Sequence, residues 1–299
     1  MRWVILSIGL AAALQAQPLI DQLRARAAQF RGTTSLFAKN LDTGATVGIK
    51  EDDPVRTAST IKLPIMAAVF DAVANGKAQW TDMLAVGPPN KVSGSGVIGS
   101  EISDGVQLPL RDVVHLMIVL SDNTATNMVL DRVTANDVNS YLDRIGIKTT
   151  RSNRKVRGDG TELSPAQGWS DFGKQPENEK YGLGVSTPRD MVTILERLER
   201  GELVNADASH EMLAILKRQQ DNTGIRRLID DPVANKTGAL DALRADAGMV
   251  YSKGGRIAMA IYVDDLPVVD YGPDNVGSIL ISNLAKMILQ GLAGPAEGK

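Results

Sequence analysis

Cysteine is absent from the 299 residues, so disulfides, thiolate nucleophiles and cysteine-held metals are all excluded. Histidine is nearly absent too. His115 and His210 are too few for a histidine-built zinc site, and neither lies near a candidate serine, which makes a Ser-His-Asp triad improbable. His115 sits in the apolar run 113–120 and reads as a packed core residue, whereas His210 lies in a polar stretch and reads as surface. Aromatic residues make up only 4%, so the core must be mainly aliphatic. No long basic run occurs and the net charge is −2, which argues against nucleic acid as a partner. Nothing calls for a cofactor.

The first residues, MRWVILSIGLAAALQA, have a cationic start, a short apolar run and the small residue Ala16 before Gln17 and Pro18. This is the anatomy of a secretory signal peptide over 1–16, and the run is too short for a bilayer span of ~20 residues. The expectation is a secreted, periplasmic protein with no stable membrane insertion after cleavage, acting as a monomer. Past it, residues 18–30 have helical spacing with Gly32 as a stop, and strand-like runs cover 34–40 and 46–50. Strand-like runs return at 247–252 and 256–263, around Lys253, Gly254 and Gly255, before a last helix over about 275–289 with Gly291 as its stop.

The middle, from Ile61 to about Glu202, shows helical patterns and almost no alternation. Residues 110–120 are apolar nearly all round and read as a buried helix. Residues 186–200 read as a capped amphipathic helix with Pro188 in its first turn. Strands at both ends with helices between them predict an α+β fold: one antiparallel sheet built from 17–60 and 206–299, interrupted by an all-helical domain over 61–205. The cleft between such parts is a natural place for a site. The stretch 157–185 has six glycines, two prolines and no periodicity, and it reads as a loop bordering that site.

A serine nucleophile without histidine needs another base, and lysine is available. The pattern S-x-x-K occurs at Ser59–Lys62 and at Ser152–Lys155, about as often as chance allows. Context separates the two. Ser59 opens the helix-like segment IKLPIMAAVFDAV, where side chains three apart share a face and burial at a helix N-terminus disfavours an ammonium. Ser152 lies in a basic run from Lys148 to Arg157 and reads as solvated surface. Ser121–Asp122–Asn123 follows the buried helix, and Lys236–Thr237–Gly238 stands on a strand-like segment. Each tripeptide alone is an ordinary turn or strand end. Together, in this order, the three form the motif set of class A β-lactamases and penicillin-binding proteins.

The chain thus resembles a class A β-lactamase from about Pro18 to its final helix, with Ser186–Thr187–Pro188 and Met191 resembling the helix start after that family's omega loop. The resemblance implies a five-stranded antiparallel sheet flanked by helices and a helical domain. It also implies roles. Ser59 would attack a lactam or peptide carbonyl, Lys62 would help take its proton and Ser121 would relay a proton to the leaving nitrogen. Asn123 would bind the substrate's side-chain amide, Lys236 would supply positive charge and Thr237, beside Gly238, would bind a carboxylate. The N–H groups of Ser59 and Ala239 would form the oxyanion hole. Arg244 is either a second carboxylate anchor or a surface charge at a strand end.

One part is missing: the omega-loop glutamate with an asparagine four residues on. Family spacing from Pro188 lands at Asp171, and Glu162, Glu177 and Glu179 are the other acids available. The substrate would be a β-lactam or a peptidoglycan-derived acyl compound. A D,D-peptidase, a non-enzymatic sensor of β-lactams or peptidoglycan, and a glutaminase-like amidase are the rival readings.

Overall fold

The computed structural model describes residues 18–158 and 168–293, so the expected leader over 1–16 and the candidate acid Glu162 lie outside the described residues. The chain divides into two compact units. One comprises the residues up to Asp53, Thr187–Glu196 and those from Asn222 onward; the other comprises Pro54–Ser186 and Arg197–Asp221. Crossings therefore fall at 53/54 and 221/222, and the start of the helix Pro188–Glu199 goes with the sheet.

The sheet unit is built on five strands: β1 (Thr33–Asn40), β2 (Thr46–Ile49), β3 (Val233–Leu240), β4 (Leu243–Ser252) and β5 (Gly255–Asp264). They pair in the order β2-β1-β5-β4-β3, every pairing antiparallel. β5 reads RIAMAIYV with no alternation because both of its sides are covered; residues 257–263 are all buried. On one face Leu36, Ala38, Val250, Met259 and Ile261 pack with Leu19, Leu23, Leu280, Leu284 and Ile288 from the helices at 18–28 and Val276–Leu292. On the other, Arg189 lies 4.3 Å over the Phe37 ring and Lys39 pairs with Glu196 at 2.8 Å, joining the Pro188 helix to β1. The last helix does not stop at Gly291. It runs to Leu292, and a Cβ at Gly291 would fall 2.6 Å from the Leu19 side chain, so the glycine permits close packing rather than ending the helix.

The helical unit centres on Lys62–Ala74, whose buried residues run from Lys62 to Phe70 without a break. Pro64 is tolerated because the first turn has no intrahelical partner for its missing N–H. The helix Leu110–Val119 keeps one side in solvent through Arg111 and Asp112, so it is not buried all round. Asn123–Arg132 and Ala135–Arg144 follow, the first capped by Asp122 and the second by a Thr134–Asp137 capping box. The described part of 157–185 is not structureless: it contains a 3-10 helix, Pro176–Tyr181, and the short strand Gly184–Ser186.

Candidate active site

The helical unit assembles Ser59, Lys62, Ser121 and Asn123. Ser59 lies in the 3-10 turn Ala58–Ile61 that leads into the Lys62 helix, and it is partly exposed while its neighbours Ala58 and Thr60 are buried. Lys62 has no exposed surface. Its Nζ donates to the Ser121 carbonyl at 2.7 Å, to Ser121 Oγ at 3.2 Å and to Asn123 Oδ1 at 3.0 Å. A buried amine is stable only with such partners, since an isolated ammonium is costly away from water. The chain accepts strain to make this arrangement. Ala58 has φ +45° and Ser121 φ +54°, conformations that cost a non-glycine residue ~1–2 kcal/mol. In the left-handed conformation Ser121 presents both its carbonyl and its hydroxyl to Lys62.

Asp122 holds that turn in place. Its buried carboxylate accepts backbone N–H groups of Val97 at 2.7 Å, Ile98 at 2.9 Å and Ala125 at 2.8 Å. The sequence reading missed the other side of this contact, the segment 91–98. Asn123 N donates to the Ser95 carbonyl at 2.9 Å and its Nδ2 to the Ser93 carbonyl at 3.0 Å. Gly96, at φ +112°, lies so close that a Cβ would come within 2.2 Å of the Asp122 carboxylate. The run S-G-S-G before the first helical turn was the available signal, since paired glycines mark a loop drawn tightly against other backbone.

The sheet unit carries the other predicted residues. Lys236, Thr237, Gly238 and Ala239 lie on β3, paired in register with Ala247, Asp246, Ala245 and Arg244 of β4. Lys236 is fully buried and its Nζ donates to the Thr237 carbonyl at 2.8 Å; Thr237 is 8% exposed. Arg244 is 5% exposed, which removes the surface-charge reading. Its Nη1 donates to the Leu240 and Leu243 carbonyls at 2.6 Å each and its Nη2 to the Asp270 carbonyl, while the guanidinium lies 4.7 Å over the Tyr271 ring. Burial, then the hydrogen bond to Asp241, raises the Tyr271 phenol above its usual pKa.

Two readings of the sequence are corrected. Ser152 and Lys155 are not solvated surface: Ser152 is fully buried, and Lys155 reaches Asn90 Oδ1 at 3.0 Å and the Asp131 carboxylate. A run of cations looked solvated because the acceptors that bury Lys155 lie at 90 and 131. Asp171, at the family spacing for the missing glutamate, has an exposed side chain bonded to Asn136 Nδ2 and Lys174 Nζ at 3.1 Å each. Glu177 and Glu179 are exposed as well. His115 is half-buried with Nε2 unpartnered; desolvation first, then Arg218 and Arg111, lowers its pKa.

This fold, with an S-x-x-K turn, an S-D-N turn and a K-T-G strand, is that of the β-lactamase and penicillin-binding superfamily of serine hydrolases. The profile of the β-lactamase enzyme family matches residues 18–292, and the chain belongs to that family. Among solved structures, a β-lactamase from Sphaerobacter thermophilus is 29% identical, with 92% of this chain and 98% of that one covered and a TM-score of 0.78. The structure of PBP-A is 28% identical, covering 92% and 95% with a TM-score of 0.78. A β-lactamase regulatory protein, BlaB of Streptomyces cacaoi, is 23% identical over 87% of this chain and 93% of that protein. Among the described residues, no helix is long and apolar enough to cross a membrane.

Proposed function

We propose that the protein is a serine hydrolase that opens β-lactam rings through an acyl-enzyme on Ser59 and hydrolyses that acyl-enzyme slowly. The observation that carries this reading is the fully buried Lys62, held by Ser121 and Asn123 one helical turn from a partly exposed Ser59. In the acylation step the Ser59 hydroxyl adds to the lactam carbonyl while Lys62 takes its proton. Ser121, hydrogen-bonded to Lys62, returns a proton to the departing nitrogen as the ring C–N bond breaks. The N–H groups of Ser59 and Ala239 are assigned to the oxyanion and Asn123 to the acyl side-chain amide. Lys236 and Thr237, beside Gly238, are assigned to the carboxylate. Arg244 is assigned to scaffolding, because the substrate would compete with three backbone carbonyls for its guanidinium. Export after loss of 1–16 belongs to the same reading, and N-terminal sequencing of the exported protein should begin at Gln17.

Slow deacylation follows from the acids among the described residues. A water beside the ester needs a base, which contributes ~10²–10⁴-fold, and Asp171 is exposed and engaged elsewhere. Mixing the purified protein with a chromogenic cephalosporin should give a burst, slow turnover and an adduct by intact mass. Ser59→Ala should give neither colour nor adduct. Linear colour without an adduct would overturn the slow step, and an adduct surviving Ser59→Ala would overturn the nucleophile. A penicillin-binding peptidase is the second reading, supported by the likeness to PBP-A, a variant of which has been captured as an acyl-enzyme with penicillin G. Release of the terminal residue from a D-alanyl-D-alanine peptide would favour it.

A further inference from the structure

Beneath the K-T-G strand lies a buried polar network that the assigned chemistry does not use. Among the described residues, Asp122 and Asp246 are the only buried acids. Asp122 belongs to a motif; Asp246 stands alone in the apolar run of β4. Its Oδ2 accepts the Ile225 backbone N–H at 2.8 Å and Asn235 Nδ2 at 3.1 Å, and its Oδ1 accepts Asn235 Nδ2 at 2.9 Å. Asn235 Oδ1 in turn accepts from Arg226 Nε at 2.7 Å, and Arg226 Nη2 donates to the Val233 carbonyl at 2.6 Å. Gly224 makes room, since a Cβ there would fall 2.3 Å from Asp246 Oδ2. The neutral amide of Asn235 thus bridges a guanidinium and a carboxylate, with each of its two ends engaged.

We propose that Asp246, through Asn235 and Arg226, is the positioning residue for Lys236 and Thr237, setting the end of β3 so that this pair can take a substrate carboxylate. The inference rests on the carboxylate-binding role given to that pair above. Asn235 immediately precedes Lys236, and Asp246 is the cross-strand partner of Thr237. Side chains so paired stand ~4.5–5.5 Å apart at Cβ. β3 is an edge strand, paired on one side only, so its register and twist lack a second neighbour to fix them. Asn235 clamps it from below to the 3-10 helix Ile225–Leu228. The sheet's alternation puts Asn235, Thr237 and Asp246 on one face and Lys236 on the other. A shift of about 1 Å in such a group can cost ~10²-fold.

The atoms specify the test. In Asp246→Asn the amide oxygen keeps the Ile225 N–H, but its nitrogen faces Asn235 Nδ2, two donors at 2.9 Å. Asn235 must turn, and the Arg226 bond goes with it. Asn235→Asp combined with Asp246→Asn restores the Arg226, Ile225 and 2.9 Å cross-strand bonds and gives up only the longer 3.1 Å contact. The carboxylate then at position 235 accepts from Arg226 and from the new amide at position 246, whose oxygen still accepts from Ile225. Benzylpenicillin binding is measured by calorimetry on a Ser59→Ala background, and adduct formation on the Ser59 protein, with penicillin and with a carboxylate-free ester probe. Asp246→Asn should weaken penicillin binding and slow its acylation by at least ~10-fold, leave the ester within ~3-fold, and be rescued by the double variant. Equal loss on both probes tracking a lower Tm, an unchanged penicillin rate, or no rescue in a folded double variant would each overturn the proposal. Wild type that binds penicillin but neither forms an adduct nor hydrolyses it would sink the hydrolase reading alone; wild type that does none of these sinks both.

Discussion

Each unit buries one motif lysine completely, and each does so by a different device. In the helical unit, three acceptors surround the Lys62 amine, all supplied by one strained turn whose Asp122 is pinned by three backbone N–H groups. In the sheet unit, Lys236 donates to the carbonyl of its own neighbour, and the buried acid nearby reaches the strand through Asn235 and the ladder. The first device is local: Ser121, Asp122 and Asn123 are adjacent, so a motif encodes it. The second joins residues 226, 235 and 246, which only strand register and a 3-10 helix bring together. The lysine proposed to move protons is met by side-chain and main-chain oxygens on a loop. The one proposed to supply charge is met by the backbone of an edge strand.

That contrast predicts a difference between the two lysines. Lys62→Ala should slow acylation of every substrate, penicillin and neutral ester alike, by at least ~10²-fold, the lower scale for loss of a general base. Lys236→Ala should act chiefly on carboxylate-bearing substrates. Parallel losses on both probes for both variants would erase the distinction. Stopped-flow acylation with the two probes decides it.

Next in size is the turn. Asp122→Ala leaves three N–H donors without their acceptor, each costing ~1–3 kcal/mol when buried. A loss of about 3 kcal/mol or more in urea unfolding is expected, with acylation lost alongside. A smaller penalty would mean that the 91–98 segment does not depend on this carboxylate. Arg244→Lys sharpens the sheet side. A lysine cannot reproduce two-nitrogen donation to three carbonyls or the stack on Tyr271. Stability should fall by about 2 kcal/mol with penicillin and ester rates changed alike. A penicillin-specific loss at unchanged Tm would make Arg244 a carboxylate ligand.

The same contrast explains what could be read in advance. The terminal sheet was legible from strand-like runs broken at Gly44 and at Lys253–Gly254–Gly255, its count of five strands came from the family resemblance, and the motif residues were legible because their spacing is short. Asp246 left one faint trace, a lone acid in LRADAGMVY, where residues 243–250 are all buried by the fold. The segment 91–98 left only the short run Ser93–Gly96 as a signal, and the partners it serves, Asp122 and Asn123, are about 25–30 positions away. Asp171 was found by counting, but counting fixes a position along the chain and not the direction of a carboxylate.

Ser152 makes the smallest and most discriminating case, because it carries the same S-x-x-K pattern as Ser59 in a different setting. Its hydroxyl is buried with no hydrogen-bond partner, while its carbonyl accepts from Asn139 Nδ2 at 2.9 Å and Ser170 Oγ at 2.8 Å. It stands on a two-residue strand rather than before a helix, and Lys155 is committed to Asn90 and Asp131. Among the described residues, nothing there can deprotonate or expose the hydroxyl. Ser152→Ala removes an oxygen that burial penalises and leaves both backbone bonds intact. The adduct should form at the wild-type rate, and stability should stay level or rise by up to ~1 kcal/mol, the lower end of the penalty for an unsatisfied buried group. A drop of that size would show that the hydroxyl has a partner after all. Loss of the adduct would move the nucleophile from the Ser59 turn to this strand and undo the assignment of the helical unit.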